Sequence, residues 1–346
     1  MGHCAPSVMQ TLLDVAGLDA EWLVQATAGL PGGIGNTGAE CGGVTAPLVL
    51  LGFLHAREPL RRGLPVVVHE GRDLLQRFEA CQGTTACREI LGTSRVPLRC
   101  VGVVRRAPGL CAATLDRGHA GAISEAAIEA YARLYAHWVE QDFHCAHAVL
   151  DRLAPALPGN HDLRAAGSAF LGGTVFTGMT CGAFTAGVMG LGLALGTLED
   201  SRPRVVRMIG TMALGGDAFA DHLNAFNVVM NLGHRLSKWF TAEHGSTECR
   251  ATTRCDFSTS QGVQRYIDGG GTARCRAIAE GVADEVRATI GRTLERRAAS
   301  PSSAWAAAPR VARVASSEHS RGQRPAPHDS PKYRSGCSGL GISRPR

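Results

Sequence analysis

Cysteine is the residue type in this chain whose number and spacing point to chemistry. The 346 residues include 12 cysteines, and two sets of four occupy similar places in two copies of one repeated unit. Four thiolates can hold an iron–sulfur cluster or a zinc ion, and two of them can exchange a disulfide. The candidate redox or metal residues are Cys4, Cys41, Cys87 and Cys111 in copy one, and Cys145, Cys181, Cys249 and Cys275 in copy two.

The repeat is defined by a glycine-rich frame around the second cysteine of each copy. Residues 32–46 and 172–186 both follow the pattern GG-xxx-TG-xx-CG-xx-TA. His-Cys-Ala precedes each frame, and Cys-Arg follows each, at Cys87 and Cys249. A cysteine that recurs in both copies is the stronger candidate, because the alternative is a buried thiol used as a small apolar side chain. The cysteines without a counterpart are predicted to be dispensable: Cys81, Cys255 and Cys337.

The fourth cysteine of copy one has two candidates. Cys275 follows Cys249 by 26 residues, and Cys111 follows Cys87 by 24 residues, so spacing favours Cys111 over its rival Cys100. Copy one also lacks the helix that is predicted to lead into copy two. The site of copy one is therefore predicted to be the degenerate one.

Helices are the elements that must position these thiols. Apolar residues recur at helical spacing, and aromatic residues are scarce, at 5%, while Ala, Gly, Leu and Val are abundant. Two cysteines of each set begin predicted helices, where free N–H groups and the helix dipole favour the thiolate. The predicted fold class is all-α, with two homologous helical units built on Gly-rich turns. The predicted helices cover residues 4–16, 41–54, 66–80, 124–142, 145–157, 181–195, 203–240 and 275–296.

The composition changes near residue 297, and three regions are predicted. Copy one covers residues 1–121, copy two covers 122–296, and a basic tail covers 297–346. The tail has nine Lys and Arg residues against two acidic ones, a surplus of +7, which leaves −1 for the rest of a chain whose net charge is +6. It has too little apolar surface to fold and is predicted to be disordered. Without interleaved aromatic residues it does not indicate a specific nucleic-acid partner.

Other patterns are weaker. Residues 33–38 spell GxGxxG, but no strand precedes them and copy two does not keep the pattern, so a dinucleotide site is not supported. His137, His144 and His147 surround Cys145 and are interpreted as partly exposed helix residues rather than metal ligands. No Cys-x-x-Cys pair, nucleophile elbow, P-loop or HExxH motif occurs, so no catalytic residue is assigned.

The relation to membranes is decided by two segments. Residues 170–198 contain no charged residue, yet their threonines and glycines favour a turn and a buried helix over a membrane span. The first residues lack the basic and apolar regions of a signal peptide. A cytoplasmic location is therefore expected, where clustered thiols are reactive or metal-bound more often than part of a disulfide framework.

Three segments resemble a family of redox-active proteins named for its C-GCAxxG-C-C cysteine pattern. They are residues 144–150 (HCAHAVL), the Gly-rich frame at 172–192, and residues 83–92 (GTTACREILG). The resemblance implies an all-helical, redox-linked protein with four cysteines per unit. A related domain in split-Soret cytochromes is associated with a [2Fe–2S] cluster. The chain departs from the family pattern at Ala46 and Ala186, where the family favours glycine, and at Gly43, where it favours alanine.

The expected function is therefore redox. The clustered cysteines are predicted to bind an iron–sulfur cluster for electron transfer, or to act by thiol–disulfide chemistry with the same residues. The expected partner is a redox protein or a small thiol or disulfide, and a homo-oligomer is left open. The alternative is a non-redox helical binding module that is stabilised by cysteines or zinc, with zinc or no cofactor bound.

Overall fold

The computed structural model describes residues 3–55, 60–92, 98–120, 129, 135–159, 162–197, 206, 209–210 and 227–299. Within these ranges the chain forms helices joined by turns, with two isolated β-bridges and no strand. The prediction of an all-α fold is therefore confirmed. None of the helices in these ranges is long and apolar enough to cross a membrane.

In the described part of copy one there are six α-helices, and a short 3-10 helix, Thr27–Gly29, follows the second. The α-helices are α1 (Cys4–Ala16), α2 (Trp22–Ala26), α3 (Gly42–His55), α4 (Leu60–Gln82), α5 (Cys87–Leu91) and α6 (Leu98–Ala120). The predicted helix at 66–80 is thus part of a longer helix, and the GxGxxG segment is a turn rather than a strand-to-helix junction.

Copy two repeats this order with one addition. The described α-helices are α7 (Cys145–Leu153), α8 (Leu163–Gly167), α9 (Gly182–Leu195), α10 (Val228–His244), α11 (Cys249–Thr253), α12 (Ser260–Asp268) and α13 (Gly271–Ala299). The 3-10 helices are Ala154–Ala156 and Thr174–Phe176. The addition is α12, because only six residues separate α5 from α6 in copy one.

The central helix of each copy is α3 or α9, and both are buried along almost their whole length. In α9, glycines allow the neighbouring helices to approach closely. A methyl group built on Gly187 would lie 2.7 Å from Val282, and one built on Gly190 would lie 2.5 Å from Leu153. The uncharged Gly-rich stretch therefore forms a buried helix at the centre of copy two, as its composition predicts.

The two copies pack against each other in a reciprocal way. The Arg72 guanidinium donates to the Phe176 carbonyl oxygen at 2.6 Å, and His234 Nδ1 lies 3.3 Å from the Asn36 carbonyl oxygen. Arg72 and His234 hold the same place in the repeat, six residues before a phenylalanine, and Asn36 and Phe176 both lie five residues before a second cysteine. Each copy thus contacts the other through equivalent positions, as in a two-fold dimer.

Glycines at the ends of the two central helices show the same reciprocity. A methyl group on Gly52 of α3 would lie 2.6 Å from the Ala165 carbonyl oxygen of α8. A methyl group on Gly192 of α9 would lie 2.5 Å from the Gln25 carbonyl oxygen of α2. The Leu-Gly pair that ends each repeated frame therefore serves the packing of one copy on the other.

The ends of copy two differ from the sequence expectation in detail. Helix α13 continues through Ala299, and Arg297 donates to the Leu195 carbonyl oxygen at 3.4 Å. The rest of the predicted tail, residues 300–346, lies outside the described residues. So do most of residues 121–134 and 198–226, where parts of two predicted helices fall.

Candidate functional site

The first and second cysteines of each copy meet at a glycine. Cys4 is the first residue of α1, and its sulfur lies 2.7 Å from where a methyl group on Gly42 would stand. In copy two the corresponding distance, from Cys145 Sγ to a methyl group on Gly182, is 2.8 Å. Because each glycine directly follows a second cysteine, the Cys-Gly pair of the repeated frame places the first two thiols side by side.

Backbone hydrogen bonds bring the second and third cysteines together. In copy two, Cys181 N–H donates to the Thr247 carbonyl oxygen at 2.8 Å, and Cys249 N–H donates to the Met179 carbonyl oxygen at 2.7 Å. Copy one repeats this pairing, with Cys41 N–H on the Thr85 carbonyl oxygen at 2.8 Å. The two isolated antiparallel bridges, Glu40–Ala86 and Thr180–Glu248, belong to these pairings.

All four candidate cysteines of copy two line one cavity. Its wall contains Cys145, Cys181, Cys249 and Cys275, and among the described residues that line it there is no carboxylate or imidazole. The fourth cysteine reaches this wall from the first turns of α13. Cys255 lies beside the group, since its charge acts on Cys249 and Cys275. Cys337 lies outside the described residues.

In copy one the structure brings Cys100, not Cys111, to the other three thiols. Burial is the main cause of the raised pKa of Cys4, and the charges of Cys41 and Cys100 raise it further. Cys111 lies in the middle of α6, where burial and then the charge of Glu70 raise its pKa to about 12. Because α12 lengthens the interval between the third and fourth cysteines of copy two, equal spacing does not identify the fourth cysteine of copy one. Copy one therefore keeps four grouped thiols.

Burial, not the helix starts, dominates the thiol pKa values. In copy two, backbone N–H groups of Ala183 and Phe184 donate to Cys181, yet desolvation still raises its pKa to about 11. Desolvation also raises the pKa of Cys145 and Cys249 well above the ordinary value. The N–H groups at the helix starts therefore favour the thiolate, as expected, but burial outweighs them at these residues. Neutral thiols are the stable form there unless a bound cation compensates their charge.

Cys41 is the exception among the grouped thiols. Its pKa is lowered, first by a hydrogen bond from Cys87 and then by the N–H of Gly43, which lies 3.4 Å from its sulfur. The pKa of Cys87 is raised by the same hydrogen bond, because Cys87 gives its proton to the contact. Cys41 and Cys87 therefore form a polarised thiol pair, with Cys41 as the more acidic partner.

Aromatic side chains line the copy-two cavity, and none of them belongs to a motif that predicted the site. Trp138 stacks on Tyr266 with 5.2 Å between ring centroids, and Phe257 meets the Tyr266 ring edge at 5.2 Å. Phe143 completes the aromatic lining. The signal was present in the composition, because few aromatic residues occur and several of them flank the cysteines of copy two.

Two of the three histidines near Cys145 are structural. His144 and His147 are buried and stacked, with ring centroids 3.7 Å apart, rather than partly exposed as expected. His144 Nε2 lies 3.2 Å from the Ser168 carbonyl oxygen, and His147 Nε2 lies 3.0 Å from the Ser168 hydroxyl. Burial lowers the pKa of His144 to about 4. Both rings are hydrogen-bonded at the start of α7 and are not aimed at the thiol cavity.

The four thiols of copy two are the donor set that could hold a metal centre. Within the described part of the chain, no three Cys, His, Asp or Glu side chains are arranged to hold one ion. A cluster spans more than one ion and takes thiolates as ligands. Four thiols in the wall of one mostly apolar cavity match that requirement in residue type and number.

A cleft is formed by segments that precede the second and third cysteines of both copies. Its lining comes from equivalent segments of both copies: residues 37–40, 85–86, 177–180 and 247–248, with Arg250. These segments directly precede Cys41, Cys87, Cys181 and Cys249. The cleft is therefore open surface that adjoins two cysteines of each copy.

These features define an all-helical tandem with one four-thiol group per copy. The description "Putative redox-active protein (C_GCAxxG_C_C)" matches residues 2–114 and again residues 143–289. The chain belongs to this family, and it carries two homologous units. No match was found among curated proteins or among solved structures.

Proposed function

We propose that each four-thiol group is a redox centre and that the copy-two centre binds an iron–sulfur cluster of the [2Fe–2S] type. One observation carries the proposal: Cys145, Cys181, Cys249 and Cys275 share one cavity wall whose remaining members are mostly apolar. The described lining supplies no competing oxygen or nitrogen ligand from a charged side chain.

Some residues of the chain would bind the cluster, and others position those ligands. The four thiols would lose their protons and hold the cluster as ligands, and the paired backbone segments fix Cys181 against Cys249. Because burial disfavours uncompensated thiolates, the positive charge of iron would stabilise four of them in this cavity. When bound, the cluster would take up and release single electrons.

Thiol–disulfide exchange is the second candidate, and the Cys41–Cys87 pair favours it in copy one. The Cys41 thiolate would attack one sulfur of a small or protein disulfide, forming a mixed disulfide and releasing one thiol. Cys87 would then attack Cys41, releasing the second thiol and leaving a Cys41–Cys87 disulfide. The substrate gains two electrons and two protons, and the cysteine pair loses them.

Zinc in a non-redox binding module is the third candidate, and it makes a different demand on geometry. A structural zinc site needs four ligands at about 2.3 Å from one point. We rank it below both redox candidates, because the family description names redox activity.

The deciding experiment is anaerobic purification of the full chain, with iron, sulfide and zinc analysis and visible spectroscopy. Single Cys→Ser changes at Cys145, Cys181, Cys249 and Cys275 are compared with Cys111→Ser as a matched control. Equal loss of colour and iron in all four, with the control unchanged, supports the cluster. A colourless wild type whose reversible disulfide is abolished by only two substitutions supports thiol exchange, and stoichiometric zinc without redox activity supports the binding module.

We further propose that the redox partner, a protein or a small thiol or disulfide, meets the chain at the cleft between the copies. The segments that line the cleft directly precede Cys41 and Cys87 in copy one and Cys181 and Cys249 in copy two. Its hydroxyl-rich lining suits a transient polar contact rather than a permanent apolar one.

A further inference from the structure

We infer that Arg72 of copy one is a positioning residue for the copy-two centre, because it holds a strained turn that shapes the cavity of the four thiols. The strained turn consists of residues 174–178, directly after the glycine pair at 172–173. The inference rests on the proposed redox function and adds to the copy-two centre a residue of the other copy, outside the cysteine pattern. The copy-two centre then depends on copy one even where no thiol of copy one takes part.

Two residues of the strained turn have backbone angles that glycine adopts far more readily. Val175 and Phe176 lie in the left-handed region, with φ angles of 44° and 61°. A β-branched or bulky residue in this region is a steric outlier, and it persists only where the surrounding structure holds it. Copy one has Gly35 and Asn36 at the same places, and these residue types tolerate the left-handed region. Copy two therefore needs contacts that keep its turn in this conformation.

Helix α4 of copy one supplies such contacts. Arg72 Nε donates to the Val175 carbonyl oxygen at 3.0 Å, and a terminal guanidinium nitrogen donates to the Phe176 carbonyl oxygen at 2.6 Å. The planar guanidinium thus fixes two successive carbonyl groups at once. A methyl group on Gly71 would lie 2.6 Å from Val175 Cγ1, so the glycine before Arg72 allows α4 to approach the turn.

The backbone of the strained turn is joined to the copy-two cavity. The Phe176 N–H donates to the Leu171 carbonyl oxygen at 2.9 Å, and Leu171 lines the cavity. Directly after the turn, the Met179 carbonyl oxygen accepts the Cys249 N–H at 2.7 Å. The conformation of the turn is therefore passed to the cavity wall and to the backbone of one candidate ligand.

The Phe176 side chain makes the same connection. Its ring centroid lies 4.9 Å from that of Trp138 and 5.5 Å from that of Phe257. Both of these rings line the cavity beside the four thiols. A turn that relaxed to ordinary φ angles would have to move the completely buried Phe176 ring against them. Loss of Arg72 is therefore expected to alter the spacing of the copy-two thiols, and with it the midpoint potential and the retention of iron.

The test compares variants of the full chain, purified without oxygen, in a Cys41→Ser background that disables the copy-one centre. Arg72→Met keeps a long side chain but removes both donors. Iron release to a chelator should become about twofold to tenfold faster, the range that corresponds to one lost hydrogen bond, and the midpoint potential should shift. Arg72→Lys, which keeps a single point donor, should give an intermediate result. The matched control is Arg77→Met in the same helix, because Arg77 pairs with Asp73 of α4 itself and should leave both values unchanged.

A glycine at position 175 tests whether strain is the cause. Glycine adopts the left-handed region without steric cost, so Val175→Gly should make the turn less dependent on Arg72. With Val175→Gly present, Arg72→Met should accelerate iron release less than it does in the Val175 background. Equal acceleration in the two backgrounds would show that Arg72 acts only on the general stability of α4, and it would overturn the inference.

The failure of the inference is distinguishable from the failure of the proposed function. Unchanged iron release and midpoint potential in Arg72→Met overturn the inference and leave the proposed function standing. If Arg72→Met does not fold, Arg72→Lys decides in the same way. A wild type without iron refutes the cluster, and the variants are then compared by the rate at which iodoacetamide alkylates Cys181 and Cys249. A rate in Arg72→Met that differs from the wild type supports the positioning role, and equal rates overturn it.

Discussion

Glu40 and Thr180 hold the same place in the two copies and are hydrogen-bonded to each other. The Thr180 N–H donates to Glu40 Oε1 at 2.9 Å, and the Thr180 hydroxyl donates to Oε2. Thr174 of copy two also donates to Oε1, at 2.8 Å. Glu40 is only 2% exposed. At this pair of equivalent positions, copy one supplies the hydrogen-bond acceptor and copy two supplies the donors. Two glutamates at this place would repel each other in a buried position.

The first prediction concerns this pair. Thr180→Glu should destabilise the chain by about 3 kcal/mol or more, because it buries a second carboxylate against Glu40. Thr180→Val should cost about 1–3 kcal/mol, through the hydroxyl donor that Glu40 loses. Both values come from denaturant unfolding.

Exchanging the two residues is the control for this prediction. In the double variant Glu40→Thr with Thr180→Glu, one carboxylate again faces one threonine, and stability should recover in part. Full recovery is not expected, because Ile34 stands in copy one where Thr174 donates in copy two. A Thr180→Glu variant as stable as the wild type would show that this contact does not hold the copies together.

The second prediction separates Cys100 from Cys111. Cys100→Ser should remove the copy-one centre, so that bound iron falls to about half if each copy holds one cluster. Cys111→Ala should leave iron and thiol reactivity unchanged and cost about 1 kcal/mol of stability for a small buried cavity. The reverse result, with Cys111 required and Cys100 dispensable, would restore the assignment made from sequence spacing.

The third prediction concerns the glycine after Cys181. A methyl group on Gly182 would lie 1.6 Å from the Phe170 carbonyl oxygen and 2.8 Å from Cys145 Sγ. Gly182→Ala should therefore abolish the copy-two centre and destabilise the chain by about 2 kcal/mol or more. The matched control is Gly291→Ala in α13, where a methyl group meets nothing within 4 Å and should stabilise the helix by up to about 1 kcal/mol. Normal cofactor content in Gly182→Ala would show that the centre does not require Cys145 and Cys181 to lie next to each other.

The fourth prediction tests the cleft. Met179→Trp places a bulky side chain in its lining, so electron or thiol exchange with an external partner should slow several-fold while cofactor content stays normal. Leu294→Trp, at a 48% exposed position near the end of α13, should leave the exchange rate unchanged. Stopped-flow measurement of the two variants with one small disulfide or electron acceptor gives the comparison. Equal rates would place the exchange elsewhere on the surface.

The sequence by itself determined the local and repeated features of this protein. The helices α1, α3 and α9 follow from apolar spacing and from the glycine-rich frames, and each observed boundary lies within one residue of the predicted one. Recurrence in two copies also selected Cys145, Cys181, Cys249 and Cys275, which share one cavity. These features were readable because they depend on neighbours along the chain or on a comparison of the chain with itself.

The tertiary structure decided everything that depends on what packs across the fold. Cys100 lies near the start of α6, as Cys275 lies near the start of α13. Only the inserted helix α12 makes the interval before Cys275 longer than the interval before Cys100. The pKa values of the copy-two thiols lie above the ordinary value because other parts of the fold bury the sulfurs. The effect of burial is larger than the opposite effect of the N–H groups at the helix starts. The repeat shows that Glu40 and Thr180 are equivalent, but it does not show that they contact each other across the interface. That contact forms only when the two copies pack together.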